Sequence, residues 1–338
     1  MIRVAINGFG RIGRLAFRLM EEDKNFEVIA INDLTDAEQL AYLLKYDTNH
    51  RNYRIEEITN DENNIIIKNR KIKILAEKDP NNLPWKELNI DVVLECTGLF
   101  TSEEKAFSHI NAGAKHVVIS APAKGNIKTI VYNVNHKKLT GEEKIISAAS
   151  CTTNCLAPVV NLIDKVLGIK KGYMTTVHAY TNDQATLDVA HKKGIKARRG
   201  RACAQNIVPA STGAASAIGK VCPNLEGKLE GMAMRVPTST GSVIDLVLEL
   251  NKNTTIEEIN KILQENQNES LKYTEEPIVS SDVIGRVCAS LVDGLSTNVL
   301  EVEGEQLVKI VSWYDNEMSY TAQMIRTTKY LMEIDKKN

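Results

Sequence analysis

Two cysteines, Cys151 and Cys155, stand four residues apart in the stretch "AASCTTNC", where an apolar strand gives way to an apolar helix. Helical geometry disfavours a disulfide between them. A metal site would need further ligands at compatible spacing, which the sequence does not offer, so no metal is expected. None of the six cysteines (Cys96, Cys151, Cys155, Cys203, Cys222, Cys288) follows CxxC spacing, and all are expected to be reduced thiols. Cys155 reads as a buried structural thiol. Cys151 sits where the helix begins; the unpaired amides and positive dipole end there favour a thiolate, so it is placed as a nucleophile.

A thiolate nucleophile works with a positioned base. Of the six histidines, His50, His109, His116, His136 and His191 stand in polar or helical surroundings and read as surface or cap residues. His178 ends the apolar strand "YMTTVHAYT", and a crossover of this length could return it beside the start of the Cys151 helix. It reads either as the base or as a satisfied buried histidine. "STGAA" at residues 211–215 and Arg235 of "MRVPT", with Thr181 and Arg199, look like holders of phosphate groups, although each also fits a cap or a solvated charge.

Such residues need elements to position them. A length of 338 residues suggests two domains, and 43% hydrophobic with 25% charged residues is the composition of a soluble globular protein. The net charge of −1 gives no global pull toward nucleic acid or membrane, so an anionic partner must be held locally. No apolar stretch reaches the roughly 20 residues needed to span a bilayer, and a cytoplasmic location is expected. The first 150 residues alternate β-branched runs with amphipathic stretches, which implies α/β architecture with a parallel sheet covered by helices on both faces. Strands are expected in "NIIIKNRKIKILAE" (a hairpin turning near "NR"), "DVVLECTG", "HVVIS", "TIVYNVN" and "KIISAAS". Beyond Cys151 the runs "EGMAMRVPT", "GSVIDLVLEL", "STNVLEV" and "EQLVKIVSWYD" suggest a mostly antiparallel sheet with "TIEEINKILQEN" as covering helix, an α+β catalytic domain. The expected division is 1–150, completed by a C-terminal helix over 316–338, and 151–315.

"NGFGRIGR" places Gly8, Gly10 and Gly13 in GxGxxG spacing between the first strand and the first helix. Gly8 permits the tight turn, Gly10 lets backbone approach a pyrophosphate, and Gly13 lets helix and strand pack closely. This makes the first domain a Rossmann-type doubly wound sheet. Asp33 follows 20 residues after Gly13, at the end of the second strand, where a carboxylate accepts ribose hydroxyls and repels a 2′-phosphate. NAD is therefore expected over NADP; the alternative for Asp33 is a cap on the helix "TDAEQL".

With "INGFGRIGR", "NDLTD", "LLKYD", "SCTTNC", "HAYTNDQ", "STGAA", "RVPT" and "WYDNEMSY" in this order over essentially the whole length, the chain resembles the phosphorylating glyceraldehyde-3-phosphate dehydrogenases of glycolysis. The resemblance implies Cys151 as nucleophile and His178 as its base. It implies Thr181 and Arg235 at the substrate phosphate. At the inorganic phosphate it implies Ser150, Thr152, Thr212, Gly213 and Arg199, with Arg201 as the alternative to Arg199. Cofactor contacts map to Arg11, Ile12, Asp33, Lys78, Ser120 and Asn316, with Tyr320 beside the nicotinamide ring. The implied substrates are glyceraldehyde 3-phosphate and inorganic phosphate, and the implied assembly is a homotetramer. The chain departs from the usual pattern at Val189 and Ala190, where strictly NAD-specific relatives carry Leu and Pro.

Two other readings stay open at this stage. An erythrose-4-phosphate dehydrogenase would hydrolyse the thioester instead of phosphorylating it. An RNA-binding or adhesion role would rest on the six basic residues between Lys192 and Arg201. That run lacks aromatic interleaving, and nucleic acid is the weaker idea.

Overall fold

The computed structural model describes residues 1–336. The chain divides into two compact units: Met1–Tyr132, His136–Ala149 and the chain from Met324 onward form the first, and Asn133–Asn135 with Ser150–Gln323 form the second.

In unit 1 the order is β1 (Ile2–Asn7), α1 (Arg11–Glu21), β2 (Phe26–Asn32), α2 (Ala37–Lys45), β3 (Ile58–Asp61), β4 (Asn64–Ile67), β5 (Arg70–Leu75), β6 (Val92–Glu95), α3 (Glu103–Asn111), β7 (His116–Ile119), β8 (Lys128–Thr129) and β9 (Ile145–Ser147). They build one nine-stranded sheet in the order β3-β4-β5-β2-β1-β6-β7-β9-β8. Every pairing from β5 to β8 is parallel, and only the β3-β4-β5 edge is antiparallel. Order reverses at β1: β2 lies to one side and β6 to the other, so the carboxyl ends of β1, β2 and β6 frame the crevice where such sheets hold ligands. α1 buries Leu15, Ala16, Phe17 and Met20 at helical spacing. α2 is capped by Asp36, whose carboxylate accepts Gln39 N–H, so Asp33 is not the cap.

Unit 2 contains α4 (Cys151–Leu167), β10 (Ile169–Ala179), β11 (Val208–Ser211), α5 (Ala214–Val221), β12 (Leu229–Val236), β13 (Ser242–Leu250), α6 (Ile256–Glu265), β14 (Leu271–Thr274), β15 (Ser290–Val302) and β16 (Glu305–Tyr314). The seven-stranded sheet runs β11-β12-β10-β13-β16-β15-β14. It is mostly antiparallel; β10–β12 and β14–β15 are its parallel pairs. β13 alternates buried and half-buried residues along its whole length, the period-2 signature of a sheet covered more fully on one face than the other. The last helix, α7 (Met318–Asp335), begins in unit 2 and ends in unit 1. Of the helix expected over 316–338, residues 337 and 338 lie outside the described residues.

The run "TIVYNVN" corrects one expectation. Strand β8 covers only Lys128–Thr129; Ile130 adds one bond from its N–H to Ser147 O at 2.8 Å, Ile130 and Val131 are buried, and Asn133 turns the chain at φ 62. β3, β11 and β14 were not anticipated from their short, mixed sequences.

Candidate functional site

The chain enters α4 through Ala149, whose left-handed backbone (φ 61) costs an L-residue about 1–2 kcal/mol. Ser150 then caps the helix, its Oγ accepting Thr153 N–H at 3.1 Å, so Cys151 occupies the first helical position. α4 crosses back to β10, and the penultimate residue of that strand is His178. Its Nε2 lies 3.4 Å from Cys151 Sγ. Nδ1 donates to Ala179 O at 2.7 Å, which fixes the ring and presents Nε2 to the sulfur.

Arg235 stands opposite His178 in the β10–β12 register, with Nη1 2.8 Å from Nδ1 and 3.2 Å from Ala179 O. Because Nδ1 has given its proton to Ala179, the guanidinium acts on the ring by charge. Burial first, and then Arg235, hold the His178 imidazole down to about 3. Burial pushes the Cys151 thiol up; Arg235, the Thr152 hydroxyl and backbone amides at the helix start pull the other way without prevailing. Backbone amides at the helix start favour the thiolate, but burial outweighs them, so the helix start alone does not make a thiolate. Proton transfer from sulfur to imidazole is a different matter. Opposite charges at the observed 3.4 Å attract by about 5 kcal/mol at an effective dielectric of about 20, which offsets much of that penalty.

A second cation is close by. Arg199 is buried and ion-paired to Asp183, whose carboxylate also takes the Thr181 hydroxyl at 2.6 Å and lies 3.6 Å from Lys193. Burial raises the Asp183 carboxyl, but Thr181, Arg199, Arg235 and Lys193 together hold it below the usual range. Arg201 pairs with Asp188 at 3.0 Å and is exposed. The charges of Arg235, Asp183 and Arg199 all reach His178, so the structure gathers Cys151, His178, Thr181, Arg199 and Arg235 into one cluster.

Thr152 is buried, its hydroxyl 2.9 Å from Tyr314 Oη, which also meets Thr176 Oγ1 at 2.8 Å. Thr212 and Gly213 precede α5, one strand from Arg235, which pairs with Val208 of β11. Asn316 is buried, and its Oδ1 accepts from Gly241 N–H at 3.2 Å and from the Ser242 hydroxyl at 2.9 Å. Tyr320 is buried on α7.

In unit 1 the glycine turn has the shape a dinucleotide requires. Gly8 has φ 91, and a Cβ there would sit 2.8 Å from Thr97, whereas a Cβ on Gly13 would strike the carbonyl of Gly8. Gly10 has open space above it, and α1 begins there with no side chain capping its amides. Asp33 accepts Phe9 N–H at 2.8 Å and Thr35 N–H at 3.2 Å. That leaves lone pairs for ribose hydroxyls, since an ionised carboxylate has about four acceptor sites. These features fit a dinucleotide. Ile12 and Ser120 are half-buried and Lys78 is exposed. Arg11 pairs with Asp47, whose carboxyl is held far below its ordinary value.

Four histidines correct the surface reading: His109, His116 and His136 are buried, and the His50 side chain is covered beside Asp47. His109 receives the Trp85 Nε1–H at 3.0 Å and meets Glu95 at 3.0 Å. Sequence reasoning missed Asp183 and Tyr314; the signals were a carboxylate two residues after Thr181 and a tyrosine two residues before Asn316. Among the described residues no group of three or more His, Cys, Asp or Glu is placed to hold a metal ion, and no helix is long and apolar enough to cross a membrane.

Comparison with known proteins agrees with this geometry. Residues 2–103 match the family model described as glyceraldehyde 3-phosphate dehydrogenase, NAD binding domain, and residues 150–316 match that of the C-terminal domain. The chain is 57% identical over 336 residues to the glyceraldehyde-3-phosphate dehydrogenase of Clostridium pasteurianum, covering 99% of this chain and 100% of that protein. It is 55% identical to the one of Clostridium acetobutylicum at the same coverage, and 52% identical over 337 residues to the one of Streptococcus pyogenes, again over 99% and 100% of the two chains.

Proposed function

This chain belongs to the glyceraldehyde-3-phosphate dehydrogenase family, and from that premise we propose how its residues divide the work. The activity is the NAD-dependent oxidation of glyceraldehyde 3-phosphate in glycolysis. The observation that carries the mechanism is the Cys151–His178 contact at 3.4 Å beside Arg235 and Arg199.

NAD, when bound, supplies the acceptor for the two electrons removed from the aldehyde. Cys151 gives its proton to His178 and adds to the aldehyde carbon, and His178 passes that proton to the aldehyde oxygen, which leaves a thiohemiacetal and a neutral imidazole. His178 takes the hydroxyl proton as that carbon surrenders its hydride, and a thioester on Cys151 remains. Arg235 and Thr181 hold the substrate phosphate. Ser150, Thr152, Thr212, Gly213 and Arg199 hold inorganic phosphate for attack on the thioester, which yields 1,3-bisphosphoglycerate and returns the thiolate. Arg199 is preferred to Arg201 because it is buried in the cluster, whereas Arg201 is exposed and paired elsewhere.

Gly8, Gly10, Gly13 and the amides of Arg11 and Ile12 take the pyrophosphate, and Asp33 takes the ribose. Lys78 and Ser120 flank the cofactor, Asn316 takes the nicotinamide amide, and Tyr320 supports the ring. Residues 1–150 with the end of α7 serve as the NAD-binding domain, and 151–315 as the catalytic domain. The assembly is a cytoplasmic homotetramer; the exposed apolar side chains Val189, Ile195 and Ile207, which line a groove of about 850 Å³, and the exposed Leu187 of the same loop support burial of that loop against another copy.

The direct test is Cys151→Ser. The variant is expected to bind NAD as the parent does and to form no NADH from glyceraldehyde 3-phosphate; NADH formation by the variant would remove Cys151 from the mechanism.

A further inference from the structure

The carboxamide of Asn316 and the imidazole of His178 are joined by one hydroxyl. The β10–β13 ladder ends at the pair Val177–Val243, so Ala179 N–H, two residues on, has no strand partner there. Ser242 Oγ accepts it at 3.1 Å and donates its own proton to Asn316 Oδ1 at 2.9 Å. The line is therefore continuous: Cys151 Sγ to His178 Nε2 at 3.4 Å, His178 Nδ1–H to Ala179 O at 2.7 Å, Ala179 N–H to Ser242 Oγ, and Ser242 Oγ–H to Asn316 Oδ1. Ser242, Ala179 and Asn316 are all buried.

The orientation of the Asn316 amide follows from these contacts. Gly241 N–H can only donate, so the atom 3.2 Å from it must be the oxygen. Thr240 Oγ1 lies 3.3 Å from the same oxygen while donating to Asp315 at 3.0 Å. With Oδ1 held by these donors, Nδ2 is the end left to address a ligand. Reversing the amide would set Nδ2 against Gly241 N–H, donor to donor.

We propose that Ser242 is a positioning residue that fixes the Asn316 amide with Nδ2 toward the nicotinamide carboxamide and locks it in register with the strand that carries His178. The proposal rests on the reading of Asn316 given above. It explains why a serine begins β13: a small hydroxyl fits between two backbones and accepts from one group while donating to the other. Alanine would leave Ala179 N–H buried without a partner and would release one of the donors on Oδ1.

The test compares equilibrium binding of NAD with that of ADP-ribose, which lacks the nicotinamide, by quenching of intrinsic tryptophan fluorescence. Ser242→Ala is expected to weaken NAD by roughly threefold to tenfold, the effect of one buried hydrogen bond, and to leave ADP-ribose unchanged. A general loosening of the fold would weaken both and would overturn the proposal. In the Asn316→Ala background the serine substitution is expected to add no further loss of NAD affinity, since both act through one amide. If Asn316→Ala weakens NAD selectively and Ser242→Ala does not, the role of Ser242 is refuted while that of Asn316 stands. If Asn316→Ala leaves the NAD to ADP-ribose ratio unchanged, the reading of Asn316 itself falls, and this proposal with it. Ser242→Thr keeps the hydroxyl and is expected to restore selectivity toward the parent value. Should Ser242→Ala not fold, Ser242→Cys provides the same comparison with a weak donor of similar size: a selective loss of NAD affinity is expected, and a parent-like NAD to ADP-ribose ratio in the Cys variant would contradict the proposal.

Discussion

At the residue scale the chemistry depends on His178 making a thiolate affordable in a place that opposes one. Burial raises the Cys151 thiol above its ordinary value of 9.0, and a raised thiol pKa means less thiolate at any given pH. Proton transfer to an imidazole at 3.4 Å escapes this, because the two charges form together. His178→Asn is therefore expected to move the pH profile of Cys151 alkylation by iodoacetamide upward by more than about one unit, a free-energy change of roughly 1.4 kcal/mol or more. An unshifted profile would mean that the sulfur is activated by α4 and Arg235 without the histidine. The placement of Cys151 at a helix start and of His178 at a strand end was legible in the sequence, because a strand-to-helix junction and a strand end are local signals. The burial of His109, His116 and His136 was not. Polar neighbours in sequence do not report which face of an element turns inward, and His109 lies on the covered side of a helix whose first turn carries exposed glutamates.

At the element scale the β1–α1 turn separates two kinds of glycine. A Cβ on Gly13 would strike the Gly8 carbonyl, while a Cβ on Gly10 meets nothing within 4 Å. Gly10→Ala is thus expected to change stability by no more than about 0.5 kcal/mol, as for a substitution touching nothing, and yet to weaken NAD, whose pyrophosphate needs that space. Gly13→Ala is expected to destabilise the fold by roughly 1–3 kcal/mol through overpacking. Thermal melts and NAD titrations of both variants check this; equal loss of stability in the two would contradict it. Alternating strands and helices in the first 150 residues were readable because parallel strands are apolar runs at a regular spacing. "TIVYNVN" has the same composition and is mostly not a strand: Asn133 adopts a left-handed backbone that ends the extended run, while Ile130 and Val131 are buried outside any named strand.

At the scale of the whole molecule, the loop between β10 and β11 displays Ile195 at 94% exposure and Leu187 at 74%, more apolar surface than an isolated chain keeps without use. On the proposed homotetramer, Ile195→Lys with Leu187→Lys is expected to shift the protein to smaller species in sedimentation velocity; a parent-like sedimentation coefficient would place the contacts elsewhere. This loop showed in the sequence only as a basic, aperiodic stretch, since its hydrophobic residues follow neither helical nor strand spacing. The division into two units follows more directly from the change at Cys151, where parallel βα alternation gives way to long antiparallel strands.

The most direct measurement of the account is the time course of NADH formation from glyceraldehyde 3-phosphate and NAD, with and without inorganic phosphate. A burst of one NADH per Cys151 that turns over only when phosphate is added is the predicted result, because the thioester then waits for the phosphate held beside Arg199. Steady turnover without phosphate would contradict it, since water would then be the acceptor and the cluster around Arg199 would have another purpose.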